Sequence, residues 1–222
     1  MSVWVKICGN TSLQDALIAA EAGADAVGFV FATSPRRVTT GLVAAITPKL
    51  PDSLEKVGVF ADTTLDEIES TVRVCRLSGV QLHSQFAHDL PETLRASFGP
   101  ALRILQVEHY GFNDPVHAVN LLPNRHIDAV LLDSRTSTAI GGTGVVFDWA
   151  EAARTLFQTP NGRNVRLVVA GGLTPDNVTE AIEMLHPWGV DVVSGVEAAP
   201  GRKDPDKVRR FVENARAAAR RG

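Results

Sequence analysis

Cysteine is scarce in this chain: Cys8 and Cys75 are the only two in 222 residues, far apart and without a C-x-x-C spacing or a flanking histidine cluster. Such a pattern predicts neither a disulfide framework nor a zinc site. Long apolar runs are also missing. No stretch free of formal charge exceeds 12 residues, and one of that length, Thr136–Phe147, holds three glycines, whereas a membrane-spanning helix needs roughly 20 apolar residues. At the N-terminus, Met-Ser-Val-Trp-Val-Lys-Ile-Cys-Gly puts a lysine and a glycine where a secretory signal requires unbroken apolar residues. The expectation is a cytoplasmic protein with no membrane partner. No sign of charge dominates either: 22 Lys and Arg stand against 25 Asp and Glu, and the basic residues are scattered except at the extreme C-terminus. No nucleic-acid footprint is expected.

What is present is the profile of a globular chain, 45% hydrophobic and 21% charged. Eight short apolar, β-branched runs recur along it: Val3–Ile7, Ala26–Phe31, Lys56–Phe60, Val80–His83, Leu102–Val107, Ala129–Leu132, Arg166–Val169 and Val190–Val193. Continuous rather than alternating hydrophobicity at this length predicts parallel strands buried on both faces. Segments of helical periodicity lie between them. In Ser12–Gly23, Leu13, Ala16, Leu17 and Ala20 share a face and Gly23 is a stop signal. Thr64, Asp89, Thr174 and Asp204, each followed closely by Pro or an acidic residue, are helix-start signals. Eight strand–helix units of about 28 residues predict an α/β fold, a (βα)8 TIM barrel filling residues 1–222 as one domain. An open doubly wound sheet is the rival, but Cys8-Gly-Asn-Thr follows the first strand where that fold carries G-x-G-x-x-G. The terminal Arg216–Gly222 reads as a frayed helix end.

A barrel of this kind places its chemistry at the C-terminal ends of the strands. Cys8 ends the first strand and so points into the barrel mouth, whereas Cys75, within the helical Val72-Arg-Val-Cys-Arg-Leu, reads as a small buried hydrophobe. Asp133 ends the apolar run Ala129-Val-Leu-Leu, a partly desolvated setting that suits a general acid. Gly171-Gly172 after strand seven and Ser194-Gly195 after strand eight let backbone N–H groups approach a phosphate, and Gly141, Gly142 and Gly144 are placed to close over it. A thiolate base facing a carboxylic acid across a phosphate-anchored sugar forms a proton-transfer site, with no metal and no redox cofactor implied. Lys6, two residues before Cys8, shares its face and needs a carboxylate partner inside the barrel. His83 is either a substrate contact or a backbone-bonded strand end. His88, His109, His117, His126 and His186 are read as lying in loops or helices, without chemistry.

These residues fall in motifs that resemble the phosphoribosylanthranilate isomerase family. The resemblance rests on Lys6-Ile-Cys-Gly-Asn-Thr11, Gly28-Phe-Val-Phe31, Ser34-Pro-Arg36, Val57-Gly-Val-Phe60, Val80-Gln-Leu-His83, Leu131-Leu-Asp133, Gly141-Gly-Thr-Gly144 with Phe147-Asp-Trp149, Ala170-Gly-Gly-Leu173 with Pro175-Asp-Asn177, and Asp191-Val-Val-Ser-Gly-Val-Glu197. They occur in the family's order across almost the whole chain. The resemblance implies an Amadori rearrangement of N-(5'-phosphoribosyl)anthranilate in tryptophan biosynthesis. It implies Cys8 as base and Asp133 as acid, an arginine on the anthranilate carboxylate, and glycine-rich segments on the phosphate. His83 and Asp191 are candidate substrate contacts. The partner is then a small phosphorylated substrate, and the chain is a monomer or a homodimer.

Two departures from the family pattern matter. Ser84 follows His83 where the family usually has glycine, and a doubled arginine precedes Val38 where many members have a single arginine and an aromatic residue. The carboxylate ligand is therefore Arg36 or Arg37, with Arg36 favoured because Ser34-Pro35 constrains the backbone before it. Two other functions stay open: another phosphosugar aminoaldose isomerase or epimerase, and a barrel that binds phosphorylated metabolites without turning them over.

Overall fold

The computed structural model of the chain describes residues 2–83, 86, 89–109, 124–133, 149–154 and 165–221. Eight parallel strands, β1 (Trp4–Ile7), β2 (Ala26–Val30), β3 (Glu55–Phe60), β4 (Gly79–Leu82), β5 (Arg103–His109), β6 (Ala129–Asp133), β7 (Leu167–Ala170) and β8 (Gly189–Val192), form a closed barrel in chain order. Each of the eight apolar runs became one of these strands, with ends displaced by at most two residues. Among the described residues the helices are α1 (Leu13–Glu21), α2 (Thr40–Ile46), α3 (Leu65–Val74), α4 (Leu90–Phe98), α5 (Trp149–Ala152), α6 (Val178–Leu185) and α7 (Pro205–Arg221). A small antiparallel pair, β9 (Glu197–Ala199) with β10 (Arg202–Lys203), follows β8. No described helix is long and apolar enough to cross a membrane.

Two cores explain the continuous hydrophobicity of the strands. Alternate residues point inward, because strand side chains alternate between faces, and Trp4, Ala26, Val57, Leu105, Val107, Ala129, Leu131, Val168 and Ala170 fill the barrel interior. The intervening residues, among them Val5, Ile7, Val27, Phe29, Val80, Ile104, Leu132, Val169 and Val190, pack outward against the helices. At the N-terminal end Trp4 stacks on Trp188 with ring centroids 5.1 Å apart, and the guanidinium groups of Arg103 and Arg166 each lie 5.3 Å from the Trp188 ring.

The helix starts follow their local chemistry. The Ser12 hydroxyl accepts from the Asp15 N–H at 3.1 Å, Thr64 forms a reciprocal capping box with Glu67, and Asp204 Oδ1 accepts from the N–H groups of Asp206 and Lys207. Asp89 precedes α4 without a side-chain cap bond, and Asn177 rather than Thr174 is the residue flanking α6. On α1 the buried residues are Asp15, Ala16 and Ala19, while Leu13, Leu17 and Ala20 sit half-buried beside the core. The C-terminus corrects the sequence reading, because α7 runs to Arg221 instead of fraying from Arg216. Val208, Phe211, Val212, Ala215 and Ala218 bury one face of it, and complete burial of a Phe such as Phe211 contributes about 1.5–3 kcal/mol. Arg216 donates to Val3 O, to Gly23 O at 3.1 Å and to Asp25 Oδ2 at 2.7 Å, which ties the last turns to the start of β1.

Candidate active site

Inward positions at the C-terminal ends of the strands open into a cavity of about 1310 Å³. Cys8, Arg36, Arg37, His83, Asp133, Gly171, Gly172, Asp191, Ser194 and Gly195 all line it, so the residues singled out from sequence converge wherever they are described. Gly141, Gly142 and Gly144 lie outside the described residues. So does Ser84.

The register of the barrel builds the floor of this cavity. Lys6 on β1 pairs directly with Asp191 on β8, and its Nζ donates to Asp191 Oδ1 and to Gln81 Oε1, both at 2.9 Å. The carboxylate that an inward lysine requires is therefore Asp191. Lys6 is fully buried. Burial opposes its charge, but Asp191 and then Cys8 outweigh it and hold the ammonium above its ordinary pKa.

One layer higher, Cys8 is 2% exposed and donates its backbone N–H to Val192 O at 2.9 Å. Burial pushes its thiol pKa up; the Lys6 ammonium beneath it pulls the value down, Asp191 pushes it up again, and Lys203 pulls it down more weakly. The neighbouring strand makes room for the sulfur with Gly28, where a Cβ would collide with Cys8 Sγ and lie 3.1 Å from Cys8 Cα and Cβ. Asp133 ends β6 and pairs with His109 at the end of β5.

His109 corrects the sequence reading, since it is a strand residue lining the cavity. Its ring centroid lies 5.8 Å from that of His83. The signal that could have found it is the inward series Leu105, Val107, His109 at a spacing of two, which continues the barrel-filling positions of β5.

At the far side, Gly171 and Gly172 both adopt left-handed φ values, +83° and +65°, open to glycine at little steric cost. Asn177 clamps this turn, its Nδ2 donating to Gly172 O at 3.0 Å and its Oδ1 accepting from Thr174 N–H at 2.8 Å. Ser194–Val196 forms a single 3-10 turn, and a Cβ on Gly195 would overlap Leu173 O, so the loops after β7 and β8 sit back to back.

The loop after β2 separates the two arginines. Ser34 fixes it twice, accepting the Arg36 N–H at Oγ and the Arg37 N–H at its carbonyl, each at 3.1 Å. Arg36 folds over the cavity with its side chain 12% exposed and forms a bidentate pair with Glu197, Nε to Oε1 at 2.9 Å and Nη2 to Oε2 at 2.7 Å. Arg37 is exposed. Glu197 and Lys203 were not singled out as site residues in the sequence. Among the described residues no group of three His, Cys, Asp or Glu could hold a metal ion.

A buried thiol above an ammonium, a carboxyl two strands from β8 and an anchored guanidinium, gathered over a closed eight-stranded barrel, can move protons on an anionic small molecule. Fold and site together define a (βα)8-barrel enzyme. Residues 5–214 match the model of the N-(5'phosphoribosyl)anthranilate (PRA) isomerase family, and this chain belongs to that family. It is 43% identical over 215 residues to the N-(5'-phosphoribosyl)anthranilate isomerase of Geobacter sulfurreducens, covering 96% of this chain and 98% of the relative. The crystal structure of phosphoribosyl anthranilate isomerase from Thermotoga maritima matches with a TM-score of 0.83 at 37% identity, over 97% of this chain and 99% of that one. A phosphoribosyl anthranilate isomerase crystallised with reduced 1-(o-carboxyphenylamino)-1-deoxyribulose 5-phosphate matches with a TM-score of 0.79 at 35% identity, over the same shares of the two chains.

Proposed function

We propose that this chain converts N-(5'-phosphoribosyl)anthranilate to 1-(o-carboxyphenylamino)-1-deoxyribulose 5-phosphate, with Asp133 as general acid and Cys8 as general base. The observation that carries the assignment of roles is the stack of Lys6 beneath Cys8 at the same mouth that Asp133 lines. Asp133 gives its proton to the furanose ring oxygen; the C1'–O bond breaks, and the anilinic nitrogen's lone pair forms the iminium. Cys8 as thiolate takes the proton from C2', and that electron pair becomes the C1'=C2' bond of an enolamine. Tautomerisation moves a proton to C1' and leaves the ketone at C2', so no atom is gained or lost.

Lys6 supports this step electrostatically. Its buried ammonium offsets the negative charge that Cys8 carries as thiolate, in a setting where charge is felt strongly. General acid and base groups typically contribute about 10²–10⁴-fold each, and anchoring the two ends of the substrate supplies much of the remainder. The phosphate is assigned to the loops of Gly171, Gly172, Ser194 and Gly195, and the anthranilate carboxylate to Arg36. Gly141, Gly142 and Gly144 belong to the same phosphate assignment. His83 lines the cavity as a further candidate contact, and Asp191 acts through Lys6.

The test is turnover by the purified protein, followed by loss of anthranilate-type fluorescence. Conversion at ordinary enzymatic rates, a kcat on the order of 1–10³ per second, is expected. Saturable binding of the substrate without conversion would leave only a phosphometabolite-binding barrel.

A further inference from the structure

Arg36, Glu197 and Lys203 form a three-charge cluster beside the cavity that the acid–base reading does not use. Glu197 begins β9 and Lys203 ends β10, so the small hairpin after β8 delivers both. The Glu197 side chain is 4% exposed and that of Lys203 fully buried. Lys203 Nζ donates to Cys8 O at 2.6 Å, Val193 O at 3.2 Å and Glu197 Oε1 at 3.3 Å, and Gly201 N–H adds a 3.2 Å bond to the same carboxylate oxygen. The Lys203 backbone N–H donates to Asp15 Oδ1 at 2.8 Å. Taking these charges out of water is costly even when they are paired, so the cluster is a poor device for stability alone.

Its geometry has a direction. A guanidinium carries five N–H donors. Glu197 takes the side-on pair from Nε and Nη2, which leaves the end-on pair from Nη1 and Nη2 for a second carboxylate in the same plane. Burial opposes the Glu197 charge, yet the Arg36 hydrogen bond and the Lys203 charge outweigh it and keep this carboxyl below its ordinary pKa. The fork therefore stays formed at neutral pH.

We propose that Glu197, itself locked by Lys203, is a positioning residue that holds Arg36 with its end-on edge toward the substrate's anthranilate carboxylate, making the Arg36–Glu197–Lys203 cluster the determinant of selectivity for a carboxylated ring. The proposal rests on the reading of Arg36 as the carboxylate ligand, and its experiment separates the two. Dissociation constants are measured by calorimetry for reduced 1-(o-carboxyphenylamino)-1-deoxyribulose 5-phosphate and for the same compound with hydrogen in place of the carboxylate. The parent protein prefers the carboxylated ligand by about 10-fold or more, the worth of a charge-assisted bidentate pair.

In Glu197→Gln the fork is lost and Lys203 repels Arg36. The preference drops below about threefold, while affinity for the ligand without carboxylate changes by less than threefold. Lys203→Gln, which removes the lock on Glu197, lowers the preference in the same sense and serves where Glu197→Gln shows no cooperative thermal transition. Equal weakening of both ligands in these variants, or a preference kept or increased in Glu197→Gln, overturns the proposal. Should Arg36→Ala itself keep the preference, the assignment of Arg36 fails first.

Discussion

Gly28→Ala is the sharpest single perturbation of this site, because the added methyl has one place to go and Cys8 Sγ occupies it. β1 and β2 pair at Lys6↔Ala26 and Ile7↔Val27, so Cys8 and Gly28 are the next neighbours in the ladder, both buried. Gly28 O also accepts from Asn10 N–H and Asn10 Nδ2 at 3.0 and 3.1 Å, which keeps the strand from sliding away. The thiol must therefore rotate or the strands must part. Overpacking of this kind costs about 1–3 kcal/mol, which for a chain of this size lowers Tm by roughly 2–12 °C. Displacing a reacting group by about 1 Å costs on the order of 10²-fold in rate, so kcat should fall at least that far. The assay pairs steady-state turnover with thermal unfolding, in the single variant and with Cys8→Ala added. Removing the sulfur leaves only the 3.1 Å approaches to Cys8 Cα and Cβ, so the stability cost of Gly28→Ala should shrink in that background, a coupling that contacting residues show. A Gly28→Ala variant with kcat within threefold of the parent and an unchanged Tm would refute the placement of the thiol.

Two further outcomes are expected. Because burial holds the Cys8 thiol above its ordinary pKa, it is protonated at neutral pH and the active thiolate increases as pH rises. The rate of Cys8 alkylation by iodoacetamide in a Cys75→Ala background, which reads the thiolate alone, should then climb with pH, and Lys6→Met, which removes the charge pulling that pKa down, should move the limb to higher pH; the pH profile of both proteins reads this. Arg36→Ala should raise KM for the anthranilate substrate about 10–150-fold, the loss of a charge-assisted bond of about 1.5–3 kcal/mol, whereas the exposed Arg37→Ala should change it less than about fivefold. Steady-state kinetics of the two variants decide, and the reverse order would transfer the role to Arg37.

The barrel was legible in the sequence because most strand residues are buried, whichever face they point to, and so read as short, largely apolar runs. The place of Cys8 and Asp133 on the cavity wall was legible for a related reason, each being the first residue with an ionisable side chain after such a run. His109 was not, because the end of β5 mixes Gln106 and Glu108 with apolar residues and reads as a loop unless the inward spacing is followed. The Arg36–Glu197–Lys203 cluster was out of reach for a different cause. Its fork closes between residues 161 positions apart, and β9 and β10, three and two residues long, are too short to show a period. The full-length α7 was hidden by polar Arg216, Arg220 and Arg221, whose surroundings only the folded chain reveals.

Whether Cys8 and Asp133 move the protons of the isomerisation is decided by kcat in Cys8→Ala and Asp133→Asn, with affinity for reduced 1-(o-carboxyphenylamino)-1-deoxyribulose 5-phosphate measured alongside. Each substitution should lower kcat by at least about 10²-fold while ligand affinity is largely retained, as expected of groups that act on charge developing in the transition state. A Cys8→Ala protein that turns over at near-normal kcat would contradict this assignment.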